Sequence, residues 1–473
     1  MPTQEAQETQ EAPAVLPAPA VPPAPAPLAA PALRPGDEGY DDERLGYNLA
    51  LDHRPALIVR ARDTADVREA VRHAAEAGLG VAVQATGHGV SRSAEGQLMI
   101  STRRMTGVRV DPERRTATVA AGTVWQEVLS ATAPHGLAPL NGSNPGVGAV
   151  GYTVGGGMGL LGRRYGYAAD HVRSLDVVTA DGRLRTVTPD REPDLFWALR
   201  GGKGNFGVVV SMEIDLFPVA ELYGGGLYFG PDMAATALRA YAGWTAAVPE
   251  EMSSSIQLIR YPDLPVLPEA MRGRYVAHIR IAWCGEVAEG ERLVRPLRDL
   301  GPVLQDTVTK MPYLEVGSIH HEPPFPVAAY DRNTALRELP PVAVEALLEL
   351  AGPQADAPYF VEIRHHGGAY ARPPRTESAV AGRDAGFMLF STSIMEPGRL
   401  PAIRDAHDLL HRTMEPWGTG GAFVNFFGID DTGADRVRSA YTESGHARLA
   451  ALKAAYDPEN LFRVNYNIEP TES

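Results

Sequence analysis

Ten of the 26 residues from Asn141 to Gly166 are glycine. Glycine loses more backbone freedom on folding than any other residue, so helical or strand propensity cannot drive this stretch into shape. Such a segment makes sense where backbone must come close to something else. Successive N–H groups in it can form a concavity for an anion or an electron-rich ring edge. Val147, Val150, Tyr152 and Val154 interrupt the glycines and argue for a packed segment over a slack linker.

Upstream, Gln84-Ala-Thr-Gly-His-Gly-Val90 follows a short apolar run, Gly80–Ala85. A histidine between two glycines leaves room for a large planar ligand to approach imidazole and backbone together. An ordinary turn is the plainer alternative. Before it, Thr64 can start a helix whose apolar face is Val67, Ala70, Val71 and Ala74, and Gly78 ends it. The opening is thus strand, helix, strand. Strands are also expected near Leu98–Ser101 and Thr116–Ala121, followed by a helix from Thr123. Asp181-Gly182 suits a two-residue hairpin turn, and Phe206–Phe217 reads as a long strand. Strands and helices then alternate to about Gly421, and Ala434–Phe462 reads as mostly helical.

Gly202-x-Gly204-x-x-Gly207 has the spelling of a dinucleotide fingerprint but not its setting. That motif follows a strand and opens a helix. Here the helical pattern Asp194–Leu199 comes first and a strand follows, so this reading is rejected. The pairs His320–His321 and His365–His366 are poor partners for one metal, because neighbours on a strand face opposite sides. No metal is expected.

Composition narrows the class. The 473 residues carry 44 Lys+Arg against 58 Asp+Glu, a net charge of −14. An acidic chain without a basic block is unsuited to nucleic acid or anionic lipid, which demand Lys and Arg. Hydrophobic residues make up 44%, enough for a sizeable core. Cys284 is the one cysteine, so no internal disulfide exists. Of the 25 residues from Ala12 to Gly36, nine are Pro and nine Ala, a pattern that suits neither a membrane helix nor a signal peptide. Residues 1–40 are expected to be a disordered, partly extended tail, and the protein to be cytoplasmic.

Together these segments resemble the berberine-bridge-enzyme-like FAD-linked oxidoreductases of the vanillyl-alcohol-oxidase superfamily. Ala85-Thr-Gly-His-Gly89 resembles the flavin-linking loop, and Gly151-Tyr-Thr-Val-Gly-Gly-Gly-Met-Gly159 the second flavin loop. Asp194–Val209 resembles the family's most recognisable string. Tyr456-Asp-Pro-Glu-Asn-Leu-Phe462 with Asn465-Tyr-Asn-Ile468 resembles its C-terminal signature. The resemblance implies an α+β chain: a PCMH-type FAD-binding domain of two α/β subdomains, residues 41–218, and a substrate domain, residues 219–430, with a broad antiparallel sheet backed by helices. Residues 431–473 would return to the FAD-binding domain.

It also implies roles. His88 would carry FAD covalently, with Thr86, Gly87, Gly89, Val90 and Ser91 around the pyrophosphate. Asn144, Gly146, Val147, Gly148, Gly151, Tyr152, Gly155, Gly156 and Gly157 would line the ribityl chain and ring. Val208 would lie on the adenosine side, and Asn465 and Asn467 near the pyrimidine edge. Many relatives carry a second, cysteinyl link fourteen residues before the position of Met158; here that residue is Asn144, so a single link is expected. Val147 is of the kind associated with O2-reactive members. The tyrosines that relatives place after the triple glycine and in a later strand are Met158 and Phe423-Val-Asn-Phe426 here. Candidates for the catalytic base are therefore Tyr152, Glu362, His366 and Tyr370, of which Glu362 and His366 share strand parity. The expected reaction is hydride transfer from a C–H next to O or N of a small secondary metabolite, with O2 as electron acceptor. Phe423, Phe426 and Phe427 would supply an apolar wall. Two rival readings are a related scaffold acting as a non-redox cyclase or product binder, and a pyridine-nucleotide reductase.

Overall fold

The computed structural model describes residues 28–89, 92–265, 269 and 271–471. The expected tail falls outside the described residues up to residue 27, as do Val90 and Ser91. Residues 28–40 depart from that expectation. Ala32–Leu33 pairs antiparallel with Leu57–Arg60, and Ala30, Leu33 and Tyr40 are buried. Their apolar side chains meet an open sheet edge, which outweighs the prolines around them.

Three sheets organise the described residues. The first has four strands, in the order Ala32–Leu33, Leu57–Arg60, Leu98–Ser101 and Val81–Gln84, the last three parallel. The helix Thr64–Ala77 covers it with the buried face Val67, Ala70, Val71 and Ala74. Asp63 caps that helix by accepting from the Ala65 and Asp66 N–H groups at 2.8 and 3.1 Å. The second sheet is antiparallel and five-stranded: Val108–Asp111, Thr116–Ala120, Val208–Asp215, Val172–Val178 and Leu184–Val187.

The third sheet has eight strands, all antiparallel neighbours, from Gln305–Asp306 through Glu221–Phe229, Tyr275–Trp283, Met252–Arg260, Phe360–His365 and Phe387–Ile394 to Ala329–Leu336, with Thr309–Pro312 beside Glu221–Phe229. Helices Pro231–Thr245, Val287–Arg298, Pro341–Ala351 and Leu400–Met414 bury their apolar faces on one side of it. Ile256, Ile279 and Ile363 point into that core. Alternation sends their strand neighbours to the opposite face.

The end of the chain rejoins the five-stranded half. Leu449, Ala450, Tyr466 and Ile468 share a core with Phe196, Trp197 and Phe206. The return begins before residue 431, since Ala422, Val424 and Phe427 lie in that same core. Phe423–Phe426, read as a strand, is instead followed into a one-turn 3-10 helix, Val424–Phe426. Asn333 imposes this: its Oδ1 accepts from the Phe423 N–H at 2.7 Å, and its amide donates to the Phe423 and Phe426 carbonyls. The rejection of residues 202–207 as a fingerprint agrees with the structure, where helix Pro193–Leu199 precedes them and strand Val208–Asp215 follows. Among the described residues no helix is long and apolar enough to cross a membrane, and no group of three His, Cys, Asp or Glu is placed to hold a metal ion.

Candidate functional site

The turn after strand Val81–Gln84 delivers His88 to the wall of a cleft of about 990 Å³. Gly87 makes the turn possible. Its φ is 67°, and a Cβ there would collide with the Gly46 backbone. The close approach lets the Tyr47 N–H reach the Thr86 carbonyl at 2.9 Å and the Asn48 N–H reach Gly87 at 3.0 Å. Tyr47 then stacks on the His88 ring with centroids 3.9 Å apart and an interplanar angle of 9°. Thr86 Oγ1 meets His88 Nδ1 at 2.9 Å and accepts from the Gly148 N–H at 3.4 Å. His88 Nε2 is buried with no hydrogen-bond partner. Burial pushes the imidazole down to about 4, so it is neutral near pH 7.

The glycine stretch forms the facing wall. Ser143, Asn144 and Gly146 line the same cleft, and Asn144 Oδ1 accepts from the Gly146 N–H at 2.7 Å. The Val147 carbonyl takes the Trp125 N–H at 3.0 Å. Gly151 lies on the helix Ala149–Val154, with open space where a side chain would be. Gly155 abuts Asn425, which accepts from Lys203 Nζ at 2.5 Å and donates to the Tyr152 carbonyl at 2.8 Å. Gly156 and Gly157 have φ of 108° and 75°, conformations closed to other residues at low cost. Gly89 faces Lys203, whose ammonium is brought down to about 8 by burial.

At the C-terminal end, Asn465 donates to the Gly204 and Phe462 carbonyls at 3.0 and 2.9 Å, and its Oδ1 has no partner. Asn467 Oδ1 is likewise buried and unpartnered. The Val208 side chain packs into the core of the first sheet. A large cleft, side-chain-free loops and orphaned polar atoms on His88, Asn465 and Asn467 fit a flavin dinucleotide.

The four candidate bases differ sharply. Tyr370 is buried; its hydroxyl donates to the Gly159 carbonyl and accepts from the Gly159 N–H, both at 3.0 Å. Tyr152 is half-buried, edge-on to Trp125 at 5.5 Å, its hydroxyl buried and unpartnered beside the glycine loop. Burial holds both phenols well above their usual range. Glu362 is locked between Arg280 at 3.0 Å and Arg364 at 3.1 Å. Burial alone would raise its carboxyl, but Arg364 and Arg280 more than offset this and hold it low. His366 lines a second, narrower cavity with Met158, Gly159, His320 and Arg364. Its Nε2 contacts the Met158 sulfur at 2.8 Å, its Nδ1 has no partner, and burial pushes it down to about 3.

The apolar wall is only partly realised. Phe423 meets His366 with ring centroids 5.0 Å apart, and Phe426 lies under the Arg364 guanidinium. Phe427 is buried against Tyr466 at 5.2 Å, away from the cavity, because its chain segment has already joined the core of the five-stranded half. Tyr47, Lys203, Arg280, Arg364 and His320 were not singled out from sequence as site residues. Period-two alternation was the available signal: His278 and Arg280 sit between Ala277, Ile279 and Ile281 in an otherwise apolar strand.

Comparisons with known proteins bear on the family and the fold. Residues 55–188 match the FAD binding domain family, and residues 422–469 match the family described as berberine and berberine like. The chain is 27% identical to (R)-6-hydroxynicotine oxidase of Paenarthrobacter nicotinovorans over 93% of its own length and 96% of that protein's. It is 25% identical to chitooligosaccharide oxidase of Gibberella zeae, covering 92% of this chain and 91% of the relative. The crystal structure of 6-hydroxy-D-nicotine oxidase from Arthrobacter nicotinovorans superposes with a TM-score of 0.80 at 24% identity, over 94% of this chain and 99% of that one.

Proposed function

Because the chain belongs to the berberine-bridge-enzyme-like FAD-linked oxidoreductases, we propose that it is an oxidase with its flavin held covalently on His88. The substrate is a small secondary metabolite with a C–H next to oxygen or nitrogen. One observation carries the proposal: a neutral, half-buried imidazole stands in the cofactor-sized cleft with a buried ring nitrogen that nothing in the protein satisfies. Tyr47 and Thr86 hold that ring from its face and its edge. Asn144, Gly146 and Gly148 would hold the flavin from one side, and Asn465 and Asn467 through their free carbonyl oxygens.

When bound, FAD supplies a two-electron acceptor for the substrate's hydride and a means of returning those electrons to O2 as H2O2. The protein's share is to bind, orient and accept a proton. Of the four candidate bases, His366 suits the last task. It lines the substrate-side cavity and keeps Nδ1 free, and negative charge brought by the substrate would offset the burial and the Arg364 and Arg163 charges that make its ring a weak base. Glu362 is occupied by two guanidiniums, and Tyr370 spends both hydrogen-bonding functions on Gly159. Val147 and the names of the two curated relatives, both oxidases, support O2 as the acceptor. The single cysteine, Cys284, supports a cytoplasmic setting.

Acid precipitation tests the covalent link. The wild-type pellet should stay yellow, and His88→Ala should release its flavin to the supernatant. Wild-type colour that moves wholly into the supernatant removes the link. A colourless protein that takes up no FAD removes the cofactor. Oxygen consumption across a metabolite panel then addresses the acceptor and the substrate.

A further inference from the structure

The eight-stranded sheet turns one face to its helices and the other to the glycine loops, and this second face is charged and buried. Ser255 pairs in register with Arg280 on one side and Arg364 on the other. In the next row Gln257 stands opposite His278 and Glu362. Arg280 and Glu362 side chains are each 5% exposed and Arg364 is 13% exposed. Charge is costly to bury unless it is paired and hydrogen-bonded.

The pairing here does not balance. Glu362 Oε1 takes Arg280 Nη1 at 3.0 Å, and Oε2 takes Arg364 Nη2 at 3.1 Å. Two guanidiniums thus share one carboxylate. Gln257, neutral, takes the other end of Arg280 at 2.5 Å. His320 lies 3.8 Å from Glu362, and burial with Arg280 nearby keeps it uncharged. Glu322, part-exposed, stands 3.9 Å from His320 on the outer side and also acts on Arg364 from there, so two carboxylates, one of them reached by solvent, face the guanidiniums of Arg280, Arg364 and Arg163. Arg163 adds a third buried cation, satisfied by backbone carbonyls of Met252, Val248, Pro249 and His366 rather than by an acid. Arg280 Nε, Arg364 Nε and His366 Nδ1 are left with no partner, and all three residues line the narrow cavity. Its free volume is about 30 Å³, room for roughly two water-sized oxygens. Arg364 also reaches Ser143 at 3.4 Å, in the wall of the cofactor cleft, so an anion held there lies at the junction of the two cavities.

We propose that the substrate carries a carboxylate, received by Arg280 and Arg364 beside Glu362. A planar two-oxygen anion matches the guanidinium forks and supplies the negative charge that the wall lacks. The proposal rests on the flavoprotein reading for where the reacting end of the substrate lies.

Calorimetry and flavin difference spectra on the holoenzyme provide the test, with acetate, benzoate and phenylacetate as probes against benzamide and phenylacetamide. At least one carboxylate should bind, and bind roughly 10- to 100-fold more tightly than its amide. Arg364→Gln should erase that ratio, while Arg364→Lys keeps most of it, with thermal unfolding as the check that both are folded. Arg280→Gln should act in the same direction. Equal binding of acid and amide, no binding of any of the three carboxylates, or an unchanged ratio in a folded Arg364→Gln overturns the proposal. Flavin absorbance in the same samples judges the cofactor separately. A yellow enzyme indifferent to carboxylates loses only this proposal; a colourless chain that still selects acid over amide through Arg364 loses only the cofactor.

Discussion

Lys453 and Asp457 form an ion pair at 2.6 Å whose two side chains are both 0% exposed. They lie at the end of helix Glu443–Tyr456, where Asp457 also caps the following turn. Its Oδ1 accepts from the Leu461 N–H at 2.7 Å and its Oδ2 from Phe462 at 2.9 Å. Lys453 gives its remaining protons to the Asn205 carbonyl at 2.8 Å and the Phe462 carbonyl at 3.2 Å. Asn205 in turn holds the Tyr466 carbonyl and the Ile468 N–H. Asp457→Ala would leave a buried ammonium without its counter-charge and two amides without acceptors. Breaking one partner of such a pair costs about 3–5 kcal/mol. Lys453→Met should cost a similar amount, yet the double variant should lose less than the sum, by about 1–3 kcal/mol, since the second change removes the stranded charge. Urea unfolding followed by far-UV circular dichroism, with unchanged m-values, measures all three variants. A loss below about 1 kcal/mol for Asp457→Ala, or strict additivity in the double, would refute the pair as the pin of the C-terminal segment.

Three further outcomes follow from the same geometry. Burial lowers His366 and His407 to about 3 and His365 to about 2. The folded chain keeps these rings neutral while the unfolded chain protonates them below about 6.5, so stability is complete above that pH and drains as pH falls toward about 3, by about 1.4 kcal/mol per pH unit for each ring. Melting temperatures recorded from pH 8 to 4.5 should therefore drop on the acid side, and a flat profile would contradict it. Gly162→Ala would drive a methyl into the Tyr370 ring and hydroxyl, which Gly159 holds in place, and should cost about 1–3 kcal/mol in urea unfolding. His366→Leu should slow anaerobic flavin reduction roughly 100-fold with the flavin spectrum retained, and a loss under about threefold would exclude it as proton acceptor.

Much of the chain was legible residue by residue. The helix Thr64–Ala77 announced itself through its apolar spacing and Gly78, and His88 and the glycine stretch through a composition that only close backbone approach explains. These are short-range matters: backbone preference, capping and period are set by neighbours in sequence. Residues 28–40 misled because proline and alanine content says nothing of the sheet edge that Ala32–Leu33 meets. Phe423–Phe426 misled because Asn333, ninety residues away, bends it.

The substrate side depended on tertiary structure most of all. Ser255, Arg280, Glu362 and Arg364 come from three strands, and only the antiparallel register sets them side by side. Alternation already marked one face of those strands as polar. Whether that face meets water or is sealed beneath the loop of Met158 and Gly159 is decided by how the two halves pack. That packing turns ordinary surface charges into a buried, unbalanced cluster, because the cost of an unpaired ion depends on its surroundings and not on its place in the chain.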